Sequence, residues 1–237
     1  MNHVILVAGG VGSRMGSPIP KQFLYVKDKP VIIHTLEKFE ACPLIDRIYI
    51  ACVAGWEETL AAHLEKFSIT KARGRILPGG KTRLDSIFQV LKAIQGEVAP
   101  GDLVVTYDAN RPIIGEKMII DNLEKCREAD GAIATHRCTE TMYKINADAS
   151  LITASENRDT LSIGTGPETT AFMNALKLCE EKSRDPLTNT LGELMLAAGQ
   201  KVARSFSDPR CIKLTTPEDM DFFQAYLEEQ NASRTRQ

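Results

Sequence analysis

Between Leu6 and Phe23 the chain reads LVAGGVGSRMGSPIPKQF, with four glycines, one arginine, one lysine and two prolines directly behind an apolar run. Glycines in that place let backbone N–H groups come close to an anion and form a concave nest for it. Arg14 adds a planar fork suited to phosphate oxygens, and Lys21 adds a mobile point charge at the same edge. Together they suit a nucleoside triphosphate. A plain tight strand-to-helix turn with two surface cations is the other reading of the same residues. Two common phosphate loops do not fit. A P-loop needs its lysine directly after the last glycine and a Ser or Thr behind it, whereas the first lysine here is Lys21, followed by Gln22. A dinucleotide fingerprint needs a third glycine where Gly10-Val11-Gly12-Ser13-Arg14-Met15 places methionine.

Other chemistry is weaker. The cysteines (Cys42, Cys52, Cys126, Cys138, Cys179 and Cys211) lack metal-ligand spacing, and no histidine pair supplies it, so neither a zinc site nor a disulfide framework is expected. Buried free thiols of a protein in a reducing cytosol are the expectation. His3, His34, His63 and His136 fall in strand or helix contexts with no nucleophile beside them and are assigned no role.

The elements that must carry the loop follow from periodicity. Val4–Ala8 is apolar at every position, as a strand buried on both faces requires. Strands are also expected at Arg47–Val53, Arg75–Leu77, Leu103–Tyr107 and Gly131–Thr135. Helices are expected at Pro30–Cys42, Glu57–Phe67 and Thr82–Ile94, with another carrying Ile119, Leu123 and Cys126. This alternation implies a Rossmann-like α/β domain: a mostly parallel sheet with helices on both faces, and ligands at the carboxyl ends of its strands. From Cys138 the rhythm breaks. TMYKINAD and SLITASE read as two short strands around a turn at Asn146–Asp148, a protruding β-hairpin arm over about 138–160. Helices at Phe172–Lys182 and Leu191–Ala198, strands at Val202–Phe206 and Cys211–Leu214, and a closing helix at Pro217–Leu227 complete a single domain over 1–230. The polar tail 231–237 is expected to fray.

The 237 residues are 43% apolar and 25% charged, a composition that supports a large core and argues against disorder. The net charge of −2 provides no overall field for nucleic acid, so anion binding must come from local cations. No apolar run approaches the ~20 residues that span a bilayer, and the VILVA start is too short for a signal peptide. A cytoplasmic protein without membrane or nucleic-acid partners is expected.

A-G-G-x-G-x-R-M-G followed by P-K-Q-F resembles the nucleotide loop of the sugar-nucleotide pyrophosphorylases. More narrowly, it resembles that of the CTP-dependent polyol-phosphate cytidylyltransferases, the family acting on 2-C-methyl-D-erythritol 4-phosphate or ribitol 5-phosphate. Further motifs follow in order: GGKTRLDS at Gly79–Ser86, DANRP at Asp108–Pro112, Thr141, Arg158 and IKLTTPED at Ile212–Asp219. The resemblance runs from Val4 to Leu227. It implies transfer of CMP from CTP to a small polyol phosphate with loss of pyrophosphate. Arg14, Lys21 and Lys213 would then be catalytic, gripping the triphosphate and the developing charge. Asp108 would hold Mg²⁺. Ala8, Gly9, Gly10 and Gly12 would line the nucleotide pocket, with Gly80 and Ser86 reading the base. Arg111, Thr141 and Arg158 would bind the acceptor's phosphate, the last two from an arm reaching into the other subunit of a homodimer.

The chain departs from that pattern at several places. Tyr107 and Asn110 stand where His and Ala are usual, Thr165-Gly166-Pro167-Glu168 replaces Q-T-P-Q, Thr188-Asn189-Thr190 replaces T-D-D, and Arg210-Cys211 precede the lysine of the last motif. The departures gather in the acceptor half. AGG and the Gly55-Trp56 pair lean toward the ribitol-phosphate branch, and the replaced T-D-D leans away from both branches. The product could serve isoprenoid synthesis or a surface polymer such as teichoic acid or capsule. Another nucleotide on the same fold, or a non-catalytic nucleotide-binding relative, are the alternatives.

Overall fold

The computed structural model describes residues 1–10, 18–181 and 188–235. Strand β1 (Asn2–Ala8) leads to a small hairpin of β2 (Tyr25–Val26) and β3 (Lys29–Pro30), helix α1 (Val31–Ala41), β4 (Arg47–Cys52), α2 (Glu57–Lys66), β5 (Ile76–Pro78), α3 (Arg83–Ile94), β6 (Leu103–Asp108), α4 (Glu116–Cys126) and β7 (Gly131–Arg137). There follow β8 (Met142–Ile145), β9 (Ile152–Glu156), β10 (Ser162–Ala171), α5 (Phe172–Glu180), α6 (Leu191–Ala197), β11 (Val202–Phe206) and α7 (Pro217–Thr235).

A seven-stranded sheet runs β11-β7-β10-β6-β1-β4-β5. Neighbouring strands are parallel except where β10 pairs antiparallel with β6 and β7. Alternate residues of β1 explain the two layers. Val4 and Leu6 enter a core with α1, α2 and α4, while Ile5 enters one with α3, α5 and α6. A third apolar cluster seats Phe223 of α7 against Val31 and Leu214. No helix among the described residues is long and apolar enough to cross a membrane.

The alternating half is as expected, and so is the arm: β8 and β9 pair antiparallel as a separate two-stranded ladder. Three features differ from the sequence reading. Ser162–Ala171 forms β10, which was not foreseen, because its small and polar residues carry no period-2 signal. Cys211–Leu214 is not a strand. Its end is clasped to Asn110, with Leu214 N–H donating to the Asn110 carbonyl at 2.9 Å and Asn110 Nδ2 donating back to Leu214 O at 2.6 Å. Finally, α7 runs to Thr235, past Leu227, since no glycine or proline follows to stop it.

Candidate active site

β1, β4, β5 and β6 end on the same edge of the sheet, and β1 lies where the strand order reverses. A crevice at that switch point is the expected ligand position of such sheets. Here its walls include Ala8, Gly9, Gly10, Lys21, Gly80, Ser86, Asp108 and Lys213, so the sequence-predicted residues of the nucleotide side converge. Gly12 and Arg14 lie outside the described residues.

The local chemistry holds this crevice open. Gln22, 2% exposed, donates from Nε2 to Ala8 O at 2.7 Å and Gly10 O at 3.1 Å, tying the start of the glycine loop to the PKQF segment. Behind Gln22, Phe23 stacks on Trp56 with ring centroids 4.6 Å apart. On the opposite wall, Gly79 and Gly80 are required sterically. A Cβ on Gly79 would lie 2.9 Å from Cys52 O, and one on Gly80 would lie 2.6 Å from Asp85 Cβ. Ser86 Oγ accepts from Gly80 N at 2.9 Å and donates to Thr82 O at 2.9 Å. Ser86 therefore shapes the Gly80 turn with its proton, leaving an oxygen lone pair for a ligand.

Asp108 ends β6 at the centre of the site. Arg83 Nε donates to Oδ1 at 2.9 Å, Lys213 Nζ approaches Oδ2 at 2.8 Å, and Arg111 Nε lies 3.5 Å from Oδ2. Burial alone would raise the Asp108 pKa. Arg83 and then Lys213 outweigh it and hold the carboxyl well below its usual range. Arg83 is the first residue of α3, whose capping box pairs Thr82 Oγ1 with Asp85 N–H and Asp85 Oδ2 with Thr82 N–H. A cation at a helix N-terminus is disfavoured by the dipole; two carboxylates offset that here. Arg83 gives Nη1 to Glu168 Oε2 at 3.1 Å as well as Nε to Asp108, and its pKa rises despite burial.

Glu168 belongs to β10, opposite Thr106 of β6. The β10–β7 register shifts between Gly164 and Glu168, and this irregularity carries Thr165 and Gly166 out of the ladder. Gly166 has φ +71°, and a Cβ there would press on the Tyr107 ring at 3.2 Å. A second cavity, about 650 Å³, opens there. It is walled by Arg111, Thr135, Thr165, Glu168, Asn189 and Glu193 among others, and shares Arg83, Asp108 and Lys213 with the first crevice. Arg111 also donates Nη1 to Cys211 O at 3.0 Å. Thr141 and Arg158 are not brought to this cavity by their own chain. Thr141 is exposed at the start of the arm, and Arg158, exposed in a short 3₁₀ turn after β9, donates to Thr139 O at 2.8 Å.

As a metal site the described residues offer no cluster of three His, Cys, Asp or Glu side chains. They offer the single Asp108 carboxylate, which fits Mg²⁺, an ion commonly held by one or two carboxylates plus substrate phosphates. The six cysteines are buried, and none forms a disulfide. Sequence reasoning passed over Arg83 and Gln22 as site residues and met Glu168 only as a departure. The T-x-x-D signature at Thr82–Asp85 was the signal that could have placed Arg83 at a helix start facing the strand ends.

A crevice at the strand ends and a second polar cavity meeting on one aspartate suit a nucleotidyltransferase of Rossmann-like architecture. The family model "IspD: 2-C-methyl-D-erythritol 4-phosphate cytidylyltransferase" matches residues 2–229, and the chain belongs to that family. Among its relatives, it is 34% identical over 233 residues to a ribitol-5-phosphate cytidylyltransferase of Vibrio parahaemolyticus, covering 97% of each chain. It is 33% identical over 229 residues to a 2-C-methyl-D-erythritol 4-phosphate cytidylyltransferase of Clostridium botulinum, covering 96% of this chain and 97% of the other. The crystal structure of 4-diphosphocytidyl-2C-methyl-D-erythritol synthase from Anaerococcus prevotii superposes with a TM-score of 0.80 at 24% identity, covering 96% and 98%. That likeness supports the fold, a mostly parallel sheet flanked by helices.

Proposed function

We propose that the chain transfers the cytidylyl group of CTP to a small polyol phosphate of the ribitol 5-phosphate or 2-C-methyl-D-erythritol 4-phosphate type. The observation that carries this reading is the meeting of the two cavities at Asp108, Arg83 and Lys213. An acceptor phosphate oxygen in the larger cavity attacks the α-phosphorus of CTP in line. The new P–O bond forms as the bond to the bridging oxygen breaks, and that oxygen leaves with its electron pair as pyrophosphate. Little covalent work falls to the protein; positioning and charge stabilisation supply the rate.

Lys213 stands at the junction, within reach of the phosphate that changes partners. Lys21 and Arg14 grip the triphosphate from the glycine-loop side. Asp108 would hold Mg²⁺, which supplies charge neutralisation on the phosphates when bound. Because the Gly80 amide is spent on Ser86, the pair offers the base two acceptors: the Gly80 carbonyl and a Ser86 lone pair. Acceptors at that point suit the exocyclic amino group of cytosine.

Arg111 binds the acceptor phosphate. Thr141 and Arg158 would join it from the arm of a second copy. The exposed apolar residues Met142, Tyr143, Ile145, Leu151 and Ile152 of that arm suit a homodimer contact. The test is pyrophosphate release from CTP and Mg²⁺ across a panel of polyol phosphates. Turnover with one member is expected; no turnover with any of them, while CTP still binds, overturns the reading.

A further inference from the structure

Glu168 is 7% exposed, yet its carboxylate is satisfied from one side only. Arg83 Nη1 at 3.1 Å, Thr106 Oγ1 at 3.1 Å and the Leu191 backbone N–H at 3.2 Å all donate to Oε2. Among the described residues no donor reaches Oε1. That oxygen lies over Gly192, where a Cβ would come within 3.4 Å of it, and Glu168 and Gly192 both wall the acceptor cavity. The three donors require an acceptor in the place of Oε2, so the orientation of the carboxylate is fixed and Oε1 is turned outward. Oε1 is not sealed off as the rest of the side chain is; it is open to the cavity, where a ligand donor can meet it.

We propose that Glu168 is an acceptor-binding residue that sets specificity: Oε1 accepts a hydrogen bond from a chain hydroxyl of the polyol. The proposal rests on the cytidylyl-transfer reading above. The charge excludes the alternative that this wall takes the acceptor's phosphate, since like charges repel at close range. Glu193 agrees with this. It spends Oε2 on the Asn189 and Thr190 amides at 2.6 and 2.9 Å and lies on the same wall. The phosphate therefore sits toward Arg111 and Lys213, and the hydroxylated chain runs past Glu168. An acceptor lacking the hydroxyl opposite Oε1, or carrying a carboxylate there, is discriminated against.

The experiment compares kcat/KM for ribitol 5-phosphate, 2-C-methyl-D-erythritol 4-phosphate and their monodeoxy analogues in the wild type and in Glu168→Gln, with CTP affinity and the unfolding midpoint measured alongside. In the variant the amide oxygen takes the three donors and the amide NH₂ replaces Oε1; the pairing with Arg83 keeps its hydrogen bond and loses its charge, a change that the unfolding midpoint reads separately from the ratio. The wild type is expected to prefer the full polyol over one deoxy analogue by about 10- to 100-fold, the range for a hydrogen bond to a charged group. In the variant that ratio should fall by about fivefold or more, since a hydroxyl gains less from a neutral amide than from a carboxylate, and any change in CTP affinity passed on through Arg83 is read separately. A merely structural role would lower the midpoint and leave the ratio alone, so an unchanged ratio overturns the assignment of Glu168. Absence of turnover with every polyol phosphate in the wild type overturns the cytidylyl-transfer reading and the assignment with it.

Discussion

Replacing Arg83 by methionine removes a side chain shared by the two central carboxylates. Asp108 is left with Lys213 and Arg111, but Glu168 is left with a hydroxyl and a backbone amide, and no cation among the described residues. The three groups are only 18%, 11% and 9% exposed, so solvent cannot replace the guanidinium. Breaking such a buried pair costs about 3–5 kcal/mol. For a chain of this size each kcal/mol is worth about 2–4 °C, so the midpoint should fall by about 10 °C. Urea unfolding of Arg83→Met, Glu168→Gln and the double variant at neutral pH measures the cycle. The double variant should recover at least half the loss, because the uncompensated charge is gone. Acid unfolding gives a second reading. The folded-state pKa of Asp108 is depressed, so its stabilisation is complete above its ordinary value of 3.8 and is lost as pH falls through the folded value. Without Arg83 that depression shrinks, and the acid limb should flatten. A single-variant cost below about 1 kcal/mol, the figure for an exposed pair, or strictly additive effects, would refute a buried ion-pair hub.

Three further outcomes are expected. Lys21→Ala should lower kcat by about 100-fold or more, since a transition-state charge partner is worth about 3 kcal/mol, with the unfolding midpoint unchanged; steady-state kinetics and a thermal melt check both. Gln22→Met, isosteric but without the two donors to Ala8 and Gly10, should weaken CTP binding about tenfold, the equivalent of one to two net hydrogen bonds, as titration calorimetry would read. Burial, aided by Lys29, lowers the His34 pKa against the bond to Val26 O. The unfolded chain therefore takes that proton first, so stability is full above the ordinary 6.5 and declines below it. His34→Gln should flatten the loss between about pH 7 and pH 5, around the ordinary histidine range, in urea titrations.

The βα half was legible because each element there carries one dominant signal. β1 is apolar throughout, and α3 shows Ile87, Val90, Leu91 and Ile94 on one face behind a capping box. The glycine loop and DANRP were legible as chemistry because both follow directly on buried strands. β10 was not, since Thr165, Glu168, Thr169 and Thr170 are buried polar residues whose partners come from β6, α3, α4 and β7. Burial of polar groups depends on partners far away in sequence, and periodicity contains no trace of them. Cys211–Leu214 misled for the opposite reason: its apolar residues face the α7 cluster and the first core, with Asn110 supplying the pairing a sheet neighbour would have given. The arm was legible as two strands, while the exposure of its apolar residues emerges only from the structure.

β10 explains why the two halves of the site can vary separately. As the one antiparallel strand in a parallel sheet, it enters between β6 and β7 after the arm. It therefore brings Glu168 against β6 from the side away from β1, which carries the glycine loop. A substitution on β10 reaches the nucleotide crevice through Arg83 and Asp108. Asn189 and Glu193 line the second cavity and are not among the residues walling the first crevice. Departures from the family pattern at 165–168 and 188–190 can accordingly reshape the acceptor cavity while Ala8, Gly9, Gly80 and Lys21 keep their places. Glu168 is the exception within that group, because its Oε2 is bound to the nucleotide side through Arg83 and its Oε1 faces the acceptor. Acceptor choice and catalytic charge are coupled there, so exchanging acceptors by redesign should succeed at Asn189 and Glu193 with kcat retained, and should fail at Glu168 unless Arg83 is redesigned with it.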